Sequence, residues 1–184
     1  CVNYGEILEL TLPKNKKHFD QLIVITDTKD TLTKEVCDKN NVKCIQTDIF
    51  YENGTIFNKS AGMNYAYQNL KHHDWCVNLD ADIILPDNFR HAFFAHQLNK
   101  NELYGCSRKF IWDYDQYLKW EKNEDISQEL LTLDSPGVGY FQAFNFQANC
   151  LRGIDFKDFI PSLPTAENVD AAFFYRWYTP PNPQ

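Results

Sequence analysis

Long apolar runs are missing from this 184-residue chain. The longest, such as Ile83–Leu85, extend only a few residues, far below the roughly 18 that a membrane-spanning helix requires. The sequence therefore predicts no integral membrane segment. Seven Gly and eight Pro are too few for a collagen-like or low-complexity chain. Basic clusters are also scarce: beyond Lys14–Lys17 none stands out, and the formal net charge is −7. That balance argues against broad attraction to nucleic acid. The six cysteines (Cys1, Cys37, Cys44, Cys76, Cys106, Cys150) show no C-x-x-C spacing, and no H-E-x-x-H occurs. Paired-thiolate and zinc-hydrolase sites lose their usual signatures. Free buried thiols in a reducing, cytoplasmic compartment are the expectation for a chain that can stabilise itself without disulfides. A signal-peptide pattern is lacking, the first residue is Cys, and the last six, Thr179–Gln184, are Pro-rich. Both ends read as trimmed from a longer, multidomain polypeptide.

What remains is a globular composition, 43% hydrophobic and 23% charged, in a length suited to one domain over 1–184. The β-branched run Gln21–Thr26 predicts a buried strand, Thr31–Asn40 a short helix, and Val42–Thr47 a second strand. A helix from Asn58 or Ser60 to about Leu70 and a strand Trp75–Leu79 continue the alternation. Further helices are expected over about Asp87–Leu98 and Asn168–Tyr175, and strands over Leu103–Ser107 and Tyr140–Gln147. The fold class is thus α/β, with a mostly parallel central sheet flanked by helices. Such sheets bind ligands beyond the carboxyl ends of their strands. Asp27, Asp48 and Asp80 all fall at that predicted edge.

The segment Val77-Asn-Leu-Asp80-Ala-Asp82-Ile-Ile-Leu-Pro86 carries the most chemistry. In extended backbone, residues i and i+2 point to the same side, so Asp80 and Asp82 are expected to converge. Two such carboxylates repel, and a divalent cation relieves the repulsion. Oxygen-only ligands favour Mg²⁺ or Mn²⁺, ions that commonly bridge carboxylates to substrate phosphates. A solvated Asp-x-Asp turn is the plainer alternative. Lys59, just ahead of a predicted helix, suits an anion.

In combination these residues resemble the GT-A type glycosyltransferases, most closely the family 2 group with its uncharacterised bacterial and viral relatives. The matching segments are Val2-Asn-Tyr4, Ile23-Val-Ile-Thr-Asp27, Phe57-Asn-Lys59-Ser-Ala-Gly-Met-Asn64 and Leu79-Asp-Ala-Asp-Ile83. Gly139-Tyr-Phe-Gln142 and Ala166-Glu-Asn-Val-Asp170 match more loosely. The resemblance implies a nucleotide-binding half over about 1–90 and an acceptor-binding half over about 91–178. It also implies a nucleotide-sugar donor, a glycan or glycoconjugate acceptor, and Mn²⁺ or Mg²⁺. By the same resemblance Asn3, Asp27, Lys59, Asn64 and Asp80 would bind the donor, Asp80 and Asp82 the metal. Asp170, with Glu167 as its rival, would deprotonate the acceptor in an inverting transfer.

Two departures from the family stand out. All five His precede residue 97, so no late His completes a metal shell, and the usual Glu-Asp pair reads Glu167-Asn168. If Val2–Tyr4 ends the family's first strand, the body of that strand precedes residue 1. Alternatives are a non-catalytic nucleotide-sugar or glycan-binding module, and a haloacid-dehalogenase-type phosphatase with Asp80 as nucleophile. Trp112, Tyr114, Tyr117 and Trp120 are candidates for an acceptor groove.

Overall fold

A computed structural model of the chain describes residues 1–71, 74–124, 132–133 and 139–178. The Pro-rich 179–184 lies outside the described residues.

The chain opens with a helix that the periodicity did not announce, α1 (Gly5–Asn15). Its buried face is Leu8, Thr11, Leu12 and Asn15, the i, i+3, i+4, i+7 stripe of an amphipathic helix. Two of those four positions are polar, and Pro13 stands inside the last turn, so the apolar signal is weak. After it come β1 (Ile23–Thr26), α2 (Thr31–Lys39) and β2 (Lys43–Gln46). β1 and β2 pair in parallel, Ile23 opposite Lys43 through Thr26 opposite Gln46. α2 starts at Asp30, whose side chain accepts the Thr33 amide as an N-cap. Gly5 lets α1 approach α2, since a Cβ there would fall 2.5 Å from the Leu32 side chain.

α3 (Lys59–Gln68) is capped by Asn58, whose Oδ1 accepts from the Ala61 amide at 2.8 Å. β3 (Trp75–Leu79) then leads to α4 (Phe89–Phe94), shorter than the expected helix to Leu98. The remaining elements are β4 (Arg108–Lys109), α5 (Tyr114–Glu121), β5 (Thr132–Leu133), β6 (Phe141–Asn145) and α6 (Val169–Tyr178). The expected strand over Leu103–Ser107 reduces to one antiparallel bridge, Tyr104 opposite Ala143.

The architecture is mixed α/β, but the mostly parallel central sheet is not what the described residues form. They make three two-stranded ladders: β1 with β2, β3 with β6, and β4 with β5. The β3–β6 ladder is antiparallel, Trp75 opposite Asn145 to Leu79 opposite Phe141. Among the described residues β1 and β3 do not pair with each other. The core divides accordingly. Leu8, Leu12, Val24, Val36 and Cys37 pack together on the β1 side. Tyr67, Cys76, Phe144, Phe159, Ile160, Val169 and Phe173 form the larger core on the β3 side. Leu85, Tyr140, Phe141 and Ala143 make a third cluster with Phe89 and Phe93. Among the described residues no helix is long and apolar enough to cross a membrane.

Candidate functional site

The site gathers where β3 ends. Asp80 anchors the strand end through its amide, which donates to the Tyr140 carbonyl at 2.9 Å. The backbone then turns, with the Ile83 amide donating to the Asp80 carbonyl at 3.3 Å. Asp80 therefore opens a tight turn and Asp82 lies within it, so the backbone between them is not the extended strand end that the i, i+2 expectation assumed. Asp is favoured in such turns because its side chain bonds nearby backbone. The buried polar stripe of α1 fixes the loop from behind. Thr11 Oγ1 donates to the Ala81 carbonyl at 2.6 Å, and Asn15 Nδ2 donates to the Ile83 carbonyl at 2.6 Å. Asn15 Oδ1 accepts from the Leu85 amide at 2.9 Å. Three backbone groups of residues 81–85 are thus satisfied by one helix.

Lys59, the first residue of α3, reaches across to this loop. Its Nζ lies 3.2 Å from Asp80 Oδ1, 3.2 Å from Asp170 Oδ1 and 3.5 Å from Asp170 Oδ2. Asp170 stands in the first turn of α6. A buried Gln142 on β6 holds that turn, its Nε2 donating to the Asp170 carbonyl at 2.9 Å. Asn78 Nδ2 donates to Gln142 Oε1 at 3.4 Å, and Tyr67 OH donates to Asn78 Oδ1 at 2.7 Å. Residues more than a hundred positions apart are thereby locked together.

Burial would lower the Lys59 ammonium, but the facing Asp80 and Asp170 carboxylates outweigh it and hold the group above its usual range. Burial drives the Asp170 carboxyl above the ordinary carboxylate range. Lys59 offsets this in part, and the Asp80 charge adds to it. Asp82 is also raised, first by loss of hydration against the surrounding protein and then by the like charge of Asp80. Asp80, Asp82 and Asp170 thus gather around the Lys59 ammonium, and the Arg108 guanidinium also acts on Asp82.

A second hollow, about 550 Å³, opens beyond the end of β1 and is lined by Val2, Asn3, Asp27, Lys29, Asp48, Tyr51 and Glu52. Asp27 is buried, its Oδ1 accepting from the Lys29 amide at 2.8 Å. Asn3 takes a left-handed conformation, φ 59°, and its amide donates to Asp30 Oδ2 at 2.7 Å. Thr26 Oγ1 donates to the same oxygen at 2.6 Å, and the Thr33 amide to Oδ1 at 3.1 Å. Burial alone would raise Asp30, but these hydrogen bonds prevail and keep it below its ordinary range. Val2, Asn3 and Tyr51 also line the larger cavity that contains Lys59, Asp80, Asp82 and Asp170. The two hollows adjoin.

Of the residues expected in the site, Lys59, Asp80, Asp82 and Asp170 come together, and Asn3 and Asp27 line the adjoining hollow. Asn64 does not join them. It is buried, donating to the Ile160 carbonyl at 2.8 Å and accepting from the Ile160 amide at 2.9 Å, so it braces the chain behind α3. Glu167 is exposed and lines neither hollow. The aromatic segment also lies elsewhere: Tyr117 is buried, Trp112 and Tyr114 are exposed, and Lys14 sits over the Tyr117 and Trp120 rings. Thr11, Asn15 and Asp30 are not singled out by the sequence, and Gln142 enters only within the looser Gly139–Gln142 match. The Asp30 position before Thr31 is a cap signal and was legible, whereas the others are polar residues whose partners lie far off in sequence.

Among the described residues no three His, Cys, Asp or Glu side chains form a ready-made metal centre. The donor set nonetheless suits a hard cation: Asp80 and Asp82 offer only oxygens, and their mutual repulsion is already expressed in the raised Asp82 carboxyl. Comparisons with family models, curated proteins and solved structures find no match to this chain.

Proposed function

We propose that the protein is a glycosyltransferase that takes a nucleotide-diphosphate sugar as donor and a hydroxyl of a glycan or glycoconjugate as acceptor. The observation that carries this reading is the convergence of Lys59, Asp80 and Asp170, from three separate elements, beside the Asp80–Asp82 turn. The adjoining hollow at Asp27 suits a nucleoside, whose polar base edge the buried carboxylate can accept. A diphosphate running from there past Asn3 and Tyr51 reaches Lys59, the cation of the cluster.

Asp80 and Asp82 would hold Mg²⁺ or Mn²⁺, which supplies charge neutralisation for a diphosphate. Lys59 exchanges its carboxylate partners for phosphate oxygens and stabilises the negative charge that develops on departure. Release from Lys59 frees the Asp170 carboxylate, whose raised proton affinity suits a general base. In transfer, the acceptor oxygen bonds to the anomeric carbon while the carbon–oxygen bond to the diphosphate breaks and its electron pair leaves with phosphate. The hydroxyl proton passes to Asp170. Inversion follows if attack is opposite the leaving group.

Calorimetry with uridine, guanosine, adenosine and cytidine diphosphates, with and without Mn²⁺, tests the binding half of this reading. At least one is expected to bind in a Mn²⁺-dependent manner, with Asp82→Asn weakening it about tenfold or more, the scale of one charge-assisted contact. Absence of binding by all four, with or without Mn²⁺, would refute it.

A further inference from the structure

Two thiols approach one another between α2 and β2. Cys37 is fully buried and Cys44 half-buried, and both are free. The end of α2 brings them together. Asn41 takes a left-handed conformation, φ 54°; its amide donates to the Asp38 carbonyl at 3.0 Å, and the Val42 amide donates to the Cys37 carbonyl at 2.9 Å. These two bonds are the paired contacts of a Schellman cap, which folds the chain back over the helix end. Val42 therefore lies over Cys37. Residues i and i+2 of an extended segment share a face, and Val42 and Cys44 both pack on the cluster of Val24, Val36 and Cys37. The strand register agrees, since Cys44 stands opposite Val24. The two sulfurs come within hydrogen-bond reach, Cys37 donating to Cys44.

That bond divides the pair chemically. It holds the Cys44 thiol below its usual range, and the Lys34 charge adds to the effect against burial and the Asp38 carboxylate. The same bond, and then burial, pushes the Cys37 thiol up. Cys37 keeps its proton while Cys44 supplies thiolate, the form that attacks oxidants. Burial acts the other way on the thiols outside the pair: it pushes Cys76 up to about 12 and raises Cys106 and Cys150.

We propose that Cys37 and Cys44 form a peroxide-responsive dithiol, in which Cys44 is oxidised first and Cys37 closes a reversible disulfide upon it. The Cys44 sulfur attacks one oxygen of the peroxide. The O–O bond breaks, hydroxide leaves to take up the proton that Cys44 released, and Cys44 becomes a sulfenic acid. The Cys37 sulfur then attacks the Cys44 sulfur, and the S–O bond breaks as water departs with the Cys37 proton. Two thiols are thus oxidised to one disulfide, and hydrogen peroxide is reduced to two waters. A small-molecule thiol reopens the link by exchange and is itself oxidised to its disulfide. The link ties α2, whose cap residue Asp30 holds the Asn3 amide and the Thr26 hydroxyl, to the strand that follows it.

Neither step draws on the Lys59–Asp80 cluster, so the test stands apart from the transferase reading. Hydrogen peroxide is added to the reduced chain, free thiols are capped with iodoacetamide, and tryptic peptides are mapped without reduction. Trypsin cuts after Lys34, Lys39, Lys43 and Lys59, which places Cys37 in peptide 35–39 and Cys44 in peptide 44–59. These two should appear joined, two hydrogens lighter than their sum, in a chain that remains monomeric. Cys44 should be consumed about tenfold or more faster than Cys76, Cys106 or Cys150. Cys37→Ala should stop the reaction at the sulfenic acid, captured by dimedone on 44–59, and Cys44→Ala should leave Cys37 a free thiol. The linked chain should melt about 5 °C or more above the reduced parent, because the cross-link restrains the unfolded chain. Cys44 joined to any other cysteine would overturn the proposal. So would oxidation of Cys44 no faster than that of the buried thiols, or a linked chain whose midpoint is unchanged or lower. The peptide map and the melting comparison are made on the parent chain, so neither depends on a variant folding.

Discussion

Replacing Asn15 with Ala removes the one side chain that satisfies both a carbonyl and an amide in the loop after the Asp80–Asp82 turn. Its Nδ2 bond to Ile83 is 2.6 Å and its Oδ1 bond from Leu85 is 2.9 Å. Asn15 is 4% exposed and Leu85 likewise 4%, so water does not readily replace the lost partner on the Leu85 side. An unsatisfied buried group costs about 1–3 kcal/mol. The two groups share one loop that can relax, so about 3 kcal/mol is the expected total. For a chain of this size that lowers Tm by about 6–12 °C. Urea unfolding of Asn15→Ala against the parent measures it, and the midpoint should fall with little change in slope. Thr11→Val, which loses a single bond to the Ala81 carbonyl, should cost about 1 kcal/mol. Both changes should weaken Mn²⁺-dependent nucleotide binding beyond their effect on folding, because they release the backbone that carries Asp80 and Asp82. An Asn15→Ala loss under about 0.5 kcal/mol, the scatter of ordinary surface changes, would refute the argument that α1 holds this loop.

Asp30→Asn should destabilise the chain at neutral pH. The native Asp30 carboxyl lies below its ordinary range, so its contribution is present above the unfolded value of about 3.9 and disappears as pH falls through the lower folded value. Urea midpoints of parent and variant should therefore converge on acidification from pH 7 to below 4. Lys59→Met should weaken nucleoside diphosphate binding about tenfold or more. It also removes the charge that lowers Asp170, so the acid limb of any turnover should move to higher pH. Gly62→Ala should destabilise by about 1–3 kcal/mol, since its Cβ would lie 2.2 Å from the Phe50 ring; thermal unfolding reads this directly.

Local pattern was enough for β1, α2, β2, α3 and β3, each found within a few residues of its expected span, because each carries its own periodicity, cap or β-branched run. α1 escaped because its buried face includes Thr11 and Asn15, chosen for distant carbonyls rather than for apolar contact. Pairing direction escaped too: nothing in Phe141–Asn145 states that it runs antiparallel to Trp75–Leu79. The family resemblance named Lys59, Asp80, Asp82 and Asp170 together, and the four line one cavity in the structure, with Lys59 bonded to Asp80 and Asp170. Glu167, which the resemblance offered as the rival of Asp170, stays exposed ahead of α6, and the left-handed Asn168, φ 61°, then turns the chain into the helix.

The transferase reading stands or falls on consumption of a nucleotide sugar. Incubation with Mn²⁺, a panel of nucleotide sugars and glycan acceptors should release nucleoside diphosphate from at least one donor in the parent protein. Asp170→Asn should still bind that donor but lose transfer at least a hundredfold, the usual contribution of a general base. Donor binding without consumption in the parent, or undiminished transfer by Asp170→Asn, would contradict the account.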